Sequence, residues 1–403
     1  MKALVIGAGG VGRAIANIAS RRKFLTSMVI ADRSIERAQM AIKRIDDDRF
    51  EAAEVNAAEL EDIRELIRDT KPDVVINAVD PRYVMPIFLA CEIENTNYMD
   101  MAMSLSRPHP KYPNTEVGVK LGDEQFARDW NWAERKIWAV IGMGVEPGLS
   151  DVLAKYASDE LFSQIDQLTV LDGSNLVVEG DTFAPSFSIW TTIEECLNPP
   201  LVWEDGKGWF TTKPFSEPQI FDFPDGIGPV ECVNVEHEEV VLIPQKIEAK
   251  KVNFKYGLGK EFISILKTIH KLGLDKKENV DVQGVSVSPR DLLTASLPDP
   301  ATLGARMKGK TCAGVLVKGL DKEGKPKATY LYHVVDNEWS MKEYGDQAVV
   351  WQTALNPVVA MELIHSGKWK PQSVMGPEWF DPKPYLDLVN EYGAPWKMRE
   401  EKI

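Results

Sequence analysis

Cysteine is scarce in this chain. Cys91, Cys196, Cys232 and Cys312 are the only four in 403 residues, and none pairs at the close spacing that a zinc site or a redox dithiol needs. A reducing, cytoplasmic setting is therefore the expectation. Basic charge is also in short supply: 47 Lys and Arg stand against 61 Asp and Glu, for a formal net charge of -14. Such a field repels nucleic-acid phosphates and anionic bilayers and raises the local concentration of cationic amines. Neither nucleic acid nor membrane is expected as a partner. No apolar run reaches membrane-spanning length, and Met1 leads straight into an apolar strand without the basic, then apolar, pattern of a secretory leader. Between Asp151 and Val350 the only arginines are Arg290 and Arg306, which limits two-pronged capture of several carboxylates by that region.

What is present reads as ordinary globular sequence, with 44% hydrophobic and 27% charged residues, long enough for two domains. Ala3 to Ile6 is a short apolar run closed by Gly7, and from Val11 apolar residues recur at helical spacing. Met28 to Ala31 and then Ile35 to Ile45 repeat the strand and helix. Asn56 with Glu59 predicts a capping box that opens a helix closed at Lys71-Pro72. Asp73 to Val79 and Ile137 to Ile141 supply further strands. This alternation predicts an α/β fold, a Rossmann-type doubly wound parallel sheet over residues 1–144. Beyond it, Val240 to Ile243, Val252 to Tyr256, Val280 to Val287 and Thr311 to Val317 read as strands mostly without intervening helices, predicting a second α+β domain over 145–350. Within it, Thr311 to Lys318 and Ala328 to Val335 should pair as a hairpin, and a helix should end at Gly273. Asn356-Pro357 reads as the start of a helix closed by Gly367, in a 351–403 segment expected to return to the first domain.

The sharpest motif is Gly7-Ala8-Gly9-Gly10-Val11-Gly12, which follows a strand and opens a helix. Gly7 permits the tight turn, Gly9 admits a pyrophosphate against the backbone, and Gly12 allows close helix packing, while the helix start attracts phosphate. Asp32, ending the second strand, is placed to accept hydrogen bonds from an adenosine ribose and favours NAD. Arg33 beside it suits a 2′-phosphate, so NADP stays open. Asn77, Ala78 and Val79 end a strand where doubly wound sheets bind ligands. Asp80, next in line, is explained equally well by turn chemistry.

With that motif, the Asn77 to Asp80 strand end, Asn97-Tyr98-Met99-Asp100 and Gly144-Val145-Glu146-Pro147-Gly148, the chain resembles the reductase-type branch of the saccharopine dehydrogenase family, which includes lysine 6-dehydrogenase and carboxynorspermidine dehydrogenase. The resemblance extends through Phe262 to Leu274 and from Gly376-Pro-Glu to Gly393. It implies an oxidoreductase that moves a hydride between a nicotinamide coenzyme and the amine or imine carbon of an amino acid, diamine or polyamine precursor. It also implies a substrate-binding second domain and a homodimer. Homospermidine-synthase-like use of NAD without net release, and a non-catalytic nucleotide-binding regulator, are the alternatives. Such chemistry needs a negative group beside nitrogen and a base, for which Asp100, Glu146 and His237 are the candidates. Glu146 equally suits a helix N-terminus. His237-Glu238 lacks the second histidine of a zinc protease motif, so no metal is expected. Of the eleven tryptophans, Trp190, Trp203, Trp209, Trp339 and Trp351 fall in the expected second domain or its return, where rings can hold ammonium groups but more commonly build cores.

Overall fold

A computed structural model describes residues 1–180 and 185–403. The first sheet is built by β1 (Lys2–Ile6), β2 (Ser27–Asp32), β3 (Phe50–Glu54), β4 (Val74–Asn77), β5 (Asn97–Asp100) and β6 (Ala139–Val140). Helices α1 (Gly10–Ser20), α2 (Ile35–Ile42), α3 (Leu60–Thr70) and α4 (Val84–Ile93) connect the first five strands, and the short α5 (Asp123–Phe126) and α6 (Asp129–Arg135) precede the sixth. All strand pairs are parallel, in the order β3-β2-β1-β4-β5-β6. Every residue of β4 is buried, as a parallel strand covered on both faces requires. The order reverses between β1 and β4, which opens a crevice at their carboxyl ends.

The second unit begins with α7 (Leu149–Tyr156) and the long β7 (Phe162–Ser174), then β8 (Val177–Val178), α8 (Ile189–Leu197), β9 (Leu201–Glu204), β10 (Gly208–Thr211), β11 (Gln219–Phe223) and β12 (Gly228–Asn234). It continues through α9 (Glu239–Leu242), β13 (Lys251–Gly257), α10 (Gly259–Leu272), β14 (Val280–Val282), β15 (Val285–Val287), α11 (Pro289–Ser296), β16 (Met307–Lys308), β17 (Lys310–Asp321) and β18 (Pro326–Asp336). The chain closes with α12 (Asn337–Glu343), α13 (Ala348–His365), β19 (Val374–Met375), α14 (Pro382–Glu391) and β20 (Trp396–Glu400). The second sheet is mixed: β7 lies at its centre, parallel to β13 and antiparallel to β17. The expected hairpin is present as β17 and β18, and α10 ends on Gly273 at φ 71°. After α13 the chain rejoins both sheets, β19 pairing with β6 and β20 with β18. Helix α13 packs on α1, and the ion pairs Arg13–Asp346 and Arg22–Glu362, both at 2.7 Å, tie the C-terminal segment to the first domain.

Three local expectations are corrected. Val240 to Ile243 is not a strand: the run forms α9 and a following 3-10 turn, because four apolar residues fit a buried helix as well as a strand and only tertiary contacts decide. Asn56 does not cap α3. Its Oδ1 accepts the Ala58 N–H at 3.2 Å in a local turn, and Glu59 takes the position before the helix. Asn356-Pro357 lies inside α13, which starts at Ala348 and has Gln347 as its cap. Proline disrupts carbonyl bonding one turn back. There the Asn356 Nδ2 donates to the Gln352 carbonyl at 2.7 Å, supplying a side-chain donor inside the distorted turn.

Candidate active site

The glycine loop is shaped by contacts that exclude side chains. Gly7 has φ 115°, and a Cβ there would lie 2.4 Å from the Ala78 carbonyl oxygen; one on Gly12 would lie 1.8 Å from the Gly7 carbonyl oxygen. Over Gly9 there is open space, with only the Arg37 guanidinium at 3.9 Å from a notional Cβ. Gly9 precedes α1 without any side-chain cap, so the helix start presents free N–H groups. This is a cradle for a linked pair of phosphates, and the residues present fit an adenine dinucleotide. Asp32 closes the loop from below: its Oδ2 accepts the Ala8 N–H at 2.9 Å and its Oδ1 the Ser34 N–H at 3.1 Å. Arg33 is exposed. Asn77 accepts the Val79 N–H at 3.1 Å and donates to the Tyr98 hydroxyl at 3.0 Å, which holds the β4 end in place. Asp80 accepts the Arg82 N–H at 3.0 Å and pairs with its guanidinium.

From Gly9, Gly10 and Val11 a single cleft of about 320 Å³ runs past Asn77 to Asp80 into the second unit. Its described lining includes the carboxyl groups of Asp80, Glu146, Asp172, Glu195, Glu238 and Asp299, together with His237, and no lysine or arginine. Two of the three candidate residues, Glu146 and His237, face it. Asp100 does not. It is fully buried at the end of β5, where its Oδ1 accepts the Gly142 N–H at 2.6 Å and its Oδ2 the Gln125 amide at 2.8 Å. Burial pushes its carboxyl up to about 7 against these hydrogen bonds.

His237 stacks on Phe254 with ring centroids 3.8 Å apart, and its Nδ1 lies 2.6 Å from Glu239 and 3.3 Å from Glu238. Burial opposes its charge, but Glu239, with Glu238 and Glu195, outweighs burial and raises the imidazole to about 10. His237 is therefore an imidazolium at neutral pH. Glu239 is fixed in turn by the Ser150 hydroxyl at 2.7 Å. Burial pushes Glu195 up to about 8 despite the His237 charge. Burial, with Asp172 nearby, holds Glu146 well above the carboxylate range. His237, Glu238 and Glu239 bring their ligand atoms within 4.8 Å of one another, and the imidazole of that cluster is held by its ion pair to Glu239.

Asp172, Glu195 and Glu238 escape sequence reading because they come from β7, α8 and the turn before α9, and no local spacing links them. Their one sequence signal is the shortage of arginine between Asp151 and Val350. None of the five tryptophans is among the described lining residues. Trp190 does meet cations, but they are the protein's own: Arg82 lies 4.4 Å and Arg290 5.0 Å from its ring centre. No helix among the described residues is long and apolar enough to cross a membrane.

Comparison with known proteins agrees with this arrangement. Residues 3–140 match the family described as the saccharopine dehydrogenase NADP binding domain, and residues 144–394 the saccharopine dehydrogenase C-terminal domain. The chain is 30% identical over 410 residues to carboxynorspermidine synthase of Vibrio cholerae, covering 99% of this chain and 97% of that one. It is 27% identical over 402 residues to carboxyaminopropylagmatine dehydrogenase of a Synechocystis species, covering 98% and 96%. The apo saccharopine dehydrogenase (L-Glu forming) of Saccharomyces cerevisiae shares the fold over 100% of both chains, with a TM-score of 0.70 at 13% identity. The chain belongs to the saccharopine dehydrogenase family and is an NAD(P)-dependent oxidoreductase acting on carbon–nitrogen bonds.

Proposed function

We propose that this protein transfers a hydride between a nicotinamide coenzyme and the nitrogen-bearing carbon of a polyamine precursor that carries more than one ammonium group. One observation carries the reading: the cleft that begins at the glycine loop continues into six carboxyl groups with no lysine or arginine among its described lining. A pocket of that composition favours a polycation and rejects an anion. The names of the Vibrio and Synechocystis relatives point the same way.

A bound nicotinamide coenzyme supplies or accepts the hydride. Gly7 to Gly12 hold its phosphates, and Asn77, Ala78 and Val79 border its reactive half. Glu238, Glu195 and Glu146 hold the substrate nitrogens. His237, charged and locked to Glu239, sets the field around those acids and is not itself the base at neutral pH. Asp100 braces the β5 end against Gly142, so its effect on turnover is indirect. The experiment is a coenzyme absorbance assay over lysine, saccharopine, diamines and carboxyalkylated polyamines. Turnover is expected with the polycations. Equal or better turnover with dicarboxylates such as saccharopine contradicts the reading.

The coenzyme choice leans towards the phosphorylated form. Both Asp32 oxygens already serve backbone N–H groups, whereas Arg33 and Arg37 flank the loop with no ion-pair partner among the described residues. Charge-assisted bonds of this kind are worth about 1.5–3 kcal/mol. Replacing both arginines by alanine is expected to weaken NADP binding by roughly tenfold or more while NAD binding changes little. Equal losses for the two coenzymes in a calorimetric titration would count against this role.

The homodimer finds support in β14 and β15, a two-stranded sheet of its own whose Val280, Val282 and Val285 are 47%, 49% and 61% exposed. Isolated hairpins are marginal in water. Val282→Lys with Val285→Lys is expected to convert a dimer to a monomer in light scattering.

A further inference from the structure

Asp172, one of three cleft carboxyl groups that the sequence does not single out, lies beside a second buried acid, Glu146. Asp172 sits near the end of β7, in register with Tyr256 on β13 and Ala313 on β17. Glu146 approaches from the loop before α7, near enough that each carboxyl group shifts the ionisation of the other. Two buried carboxyl groups that share a site do not both ionise at neutral pH, because burial and like-charge repulsion hold a proton on one of them. Glu146 Oε1 and Asp172 Oδ1 are buried without a hydrogen-bond partner, and both residues line the cleft.

The surroundings suit a pair of net charge -1. Glu195 faces it from α8, His237 and Glu239 from the start of α9, and Tyr256 from β13. Cys312 and Tyr330 stand behind it on β17 and β18. Burial raises Asp172 to about 7, with the neighbouring Glu146 carboxyl and the His237 charge pulling it back down. Burial first, and then the Asp172 charge, hold Glu146 protonated well above the carboxylate range.

We propose that Glu146 and Asp172 form an acid–base pair that holds one proton at rest and exchanges a second with the substrate amine, Asp172 being the base. This rests on the amine reading above. In the oxidative direction an ammonium N–H bond breaks and an O–H bond forms on Asp172, leaving a neutral amine and a doubly protonated pair. The adjacent C–H bond then gives up its electron pair as hydride to the oxidised nicotinamide, and the nitrogen lone pair closes the C=N bond of an iminium. In reduction the hydride adds to the iminium carbon, and the pair returns its proton to the neutral amine. Protons, electrons and charge balance in both directions.

Asp172→Asn and Glu146→Gln test the pair. Amine oxidation by the wild-type protein is expected to rise with pH through about 7, as Asp172 loses its proton. Asp172→Asn should remove that limb and lower kcat by roughly a hundredfold or more, with coenzyme affinity unchanged. Asp172→Glu should restore the limb. A kcat within threefold of wild type, or an unchanged limb in Asp172→Asn, overturns the proposal. A second readout uses the protein without substrate or coenzyme. Infrared difference spectra of wild type against Glu146→Gln at a pH of about 8.5 should isolate a protonated-carboxyl band, well above the ordinary carboxyl range. Its absence overturns the shared proton. Failure of every amine to turn over with the band intact would instead reject the substrate reading and leave the pair standing.

Discussion

The melting temperature is expected to fall as the pH rises from about 5 to about 8.5, the reverse of ordinary acid denaturation. Asp100, Asp172 and Glu236 are each raised to about 7, and Glu195 and Glu378 to about 8, with burial the largest cause in every case. In the unfolded chain these groups ionise near their ordinary values of 3.8 and 4.5. Between those limits the folded protein holds protons that the unfolded chain releases. Their contribution is therefore complete at the acid end of the window and lost as pH climbs towards 8. His237, raised to about 10, acts with the same sign, since its ion pair with Glu239 stabilises the fold fully only below its ordinary value of 6.5. A single carboxyl raised by about three units contributes on the order of 4 kcal/mol. Mutual repulsion prevents simple addition, but even one such group lowers the melting temperature by roughly 5 °C or more. Thermal scans across this range read the effect directly, and a melting temperature that climbs with pH is incompatible with these acids being buried as described. Glu236→Gln, at a side chain held by the Ser106 hydroxyl and the Asn198 amide, both at 2.9 Å, should flatten the profile.

Gly9→Val and Gly12→Val should fail in different ways, although they are three residues apart. Gly9 has an ordinary negative φ of -70°, and a Cβ on it meets nothing closer than 3.9 Å. The variant is expected to fold with an unchanged melting temperature. The valine side chain then fills the space a pyrophosphate needs, so coenzyme affinity should fall by a hundredfold or more, about 3 kcal/mol. At Gly12 the added carbon would lie 1.8 Å from the Gly7 carbonyl oxygen. Helix α1 cannot then seat on β1, and the cost is paid in stability: Gly12→Val should be poorly soluble or melt far below wild type. A coenzyme titration beside a thermal scan separates the two cases. A Gly9→Val protein that binds coenzyme normally would remove the loop from the binding site.

Much of the first domain was legible because its signals are local. Gly12 is demanded by the Gly7 carbonyl five residues back, Gly7 by its φ of 115°, and Gly273 by a left-handed helix end at φ 71°. The β17–β18 hairpin announces itself through a polar turn between two apolar runs. Asn56 is taken by a local turn to the Ala58 N–H, whereas Val240 to Ile243 and Asn356-Pro357 each present a short pattern compatible with two local structures, and distant packing chose between them. Asn356 illustrates this, since its Oδ1 accepts the Tyr385 hydroxyl from α14 and its Nδ2 bonds the turn behind it. Asp100 is a subtler case: it lies at the strand end as expected, yet folding turned it inward towards Gly142 rather than into the cleft.

By itself the amino-acid sequence determined the dinucleotide fold, the glycine cradle and the scarcity of arginine through residues 151–350. Spacing and backbone sterics act over a few residues and leave a readable trace. Only the tertiary structure decided which acids share the cleft and which of them keep their protons. Ionisation depends on desolvation and on charges contributed by β7, α8 and α9, and those neighbours exist only once the second sheet has closed around them.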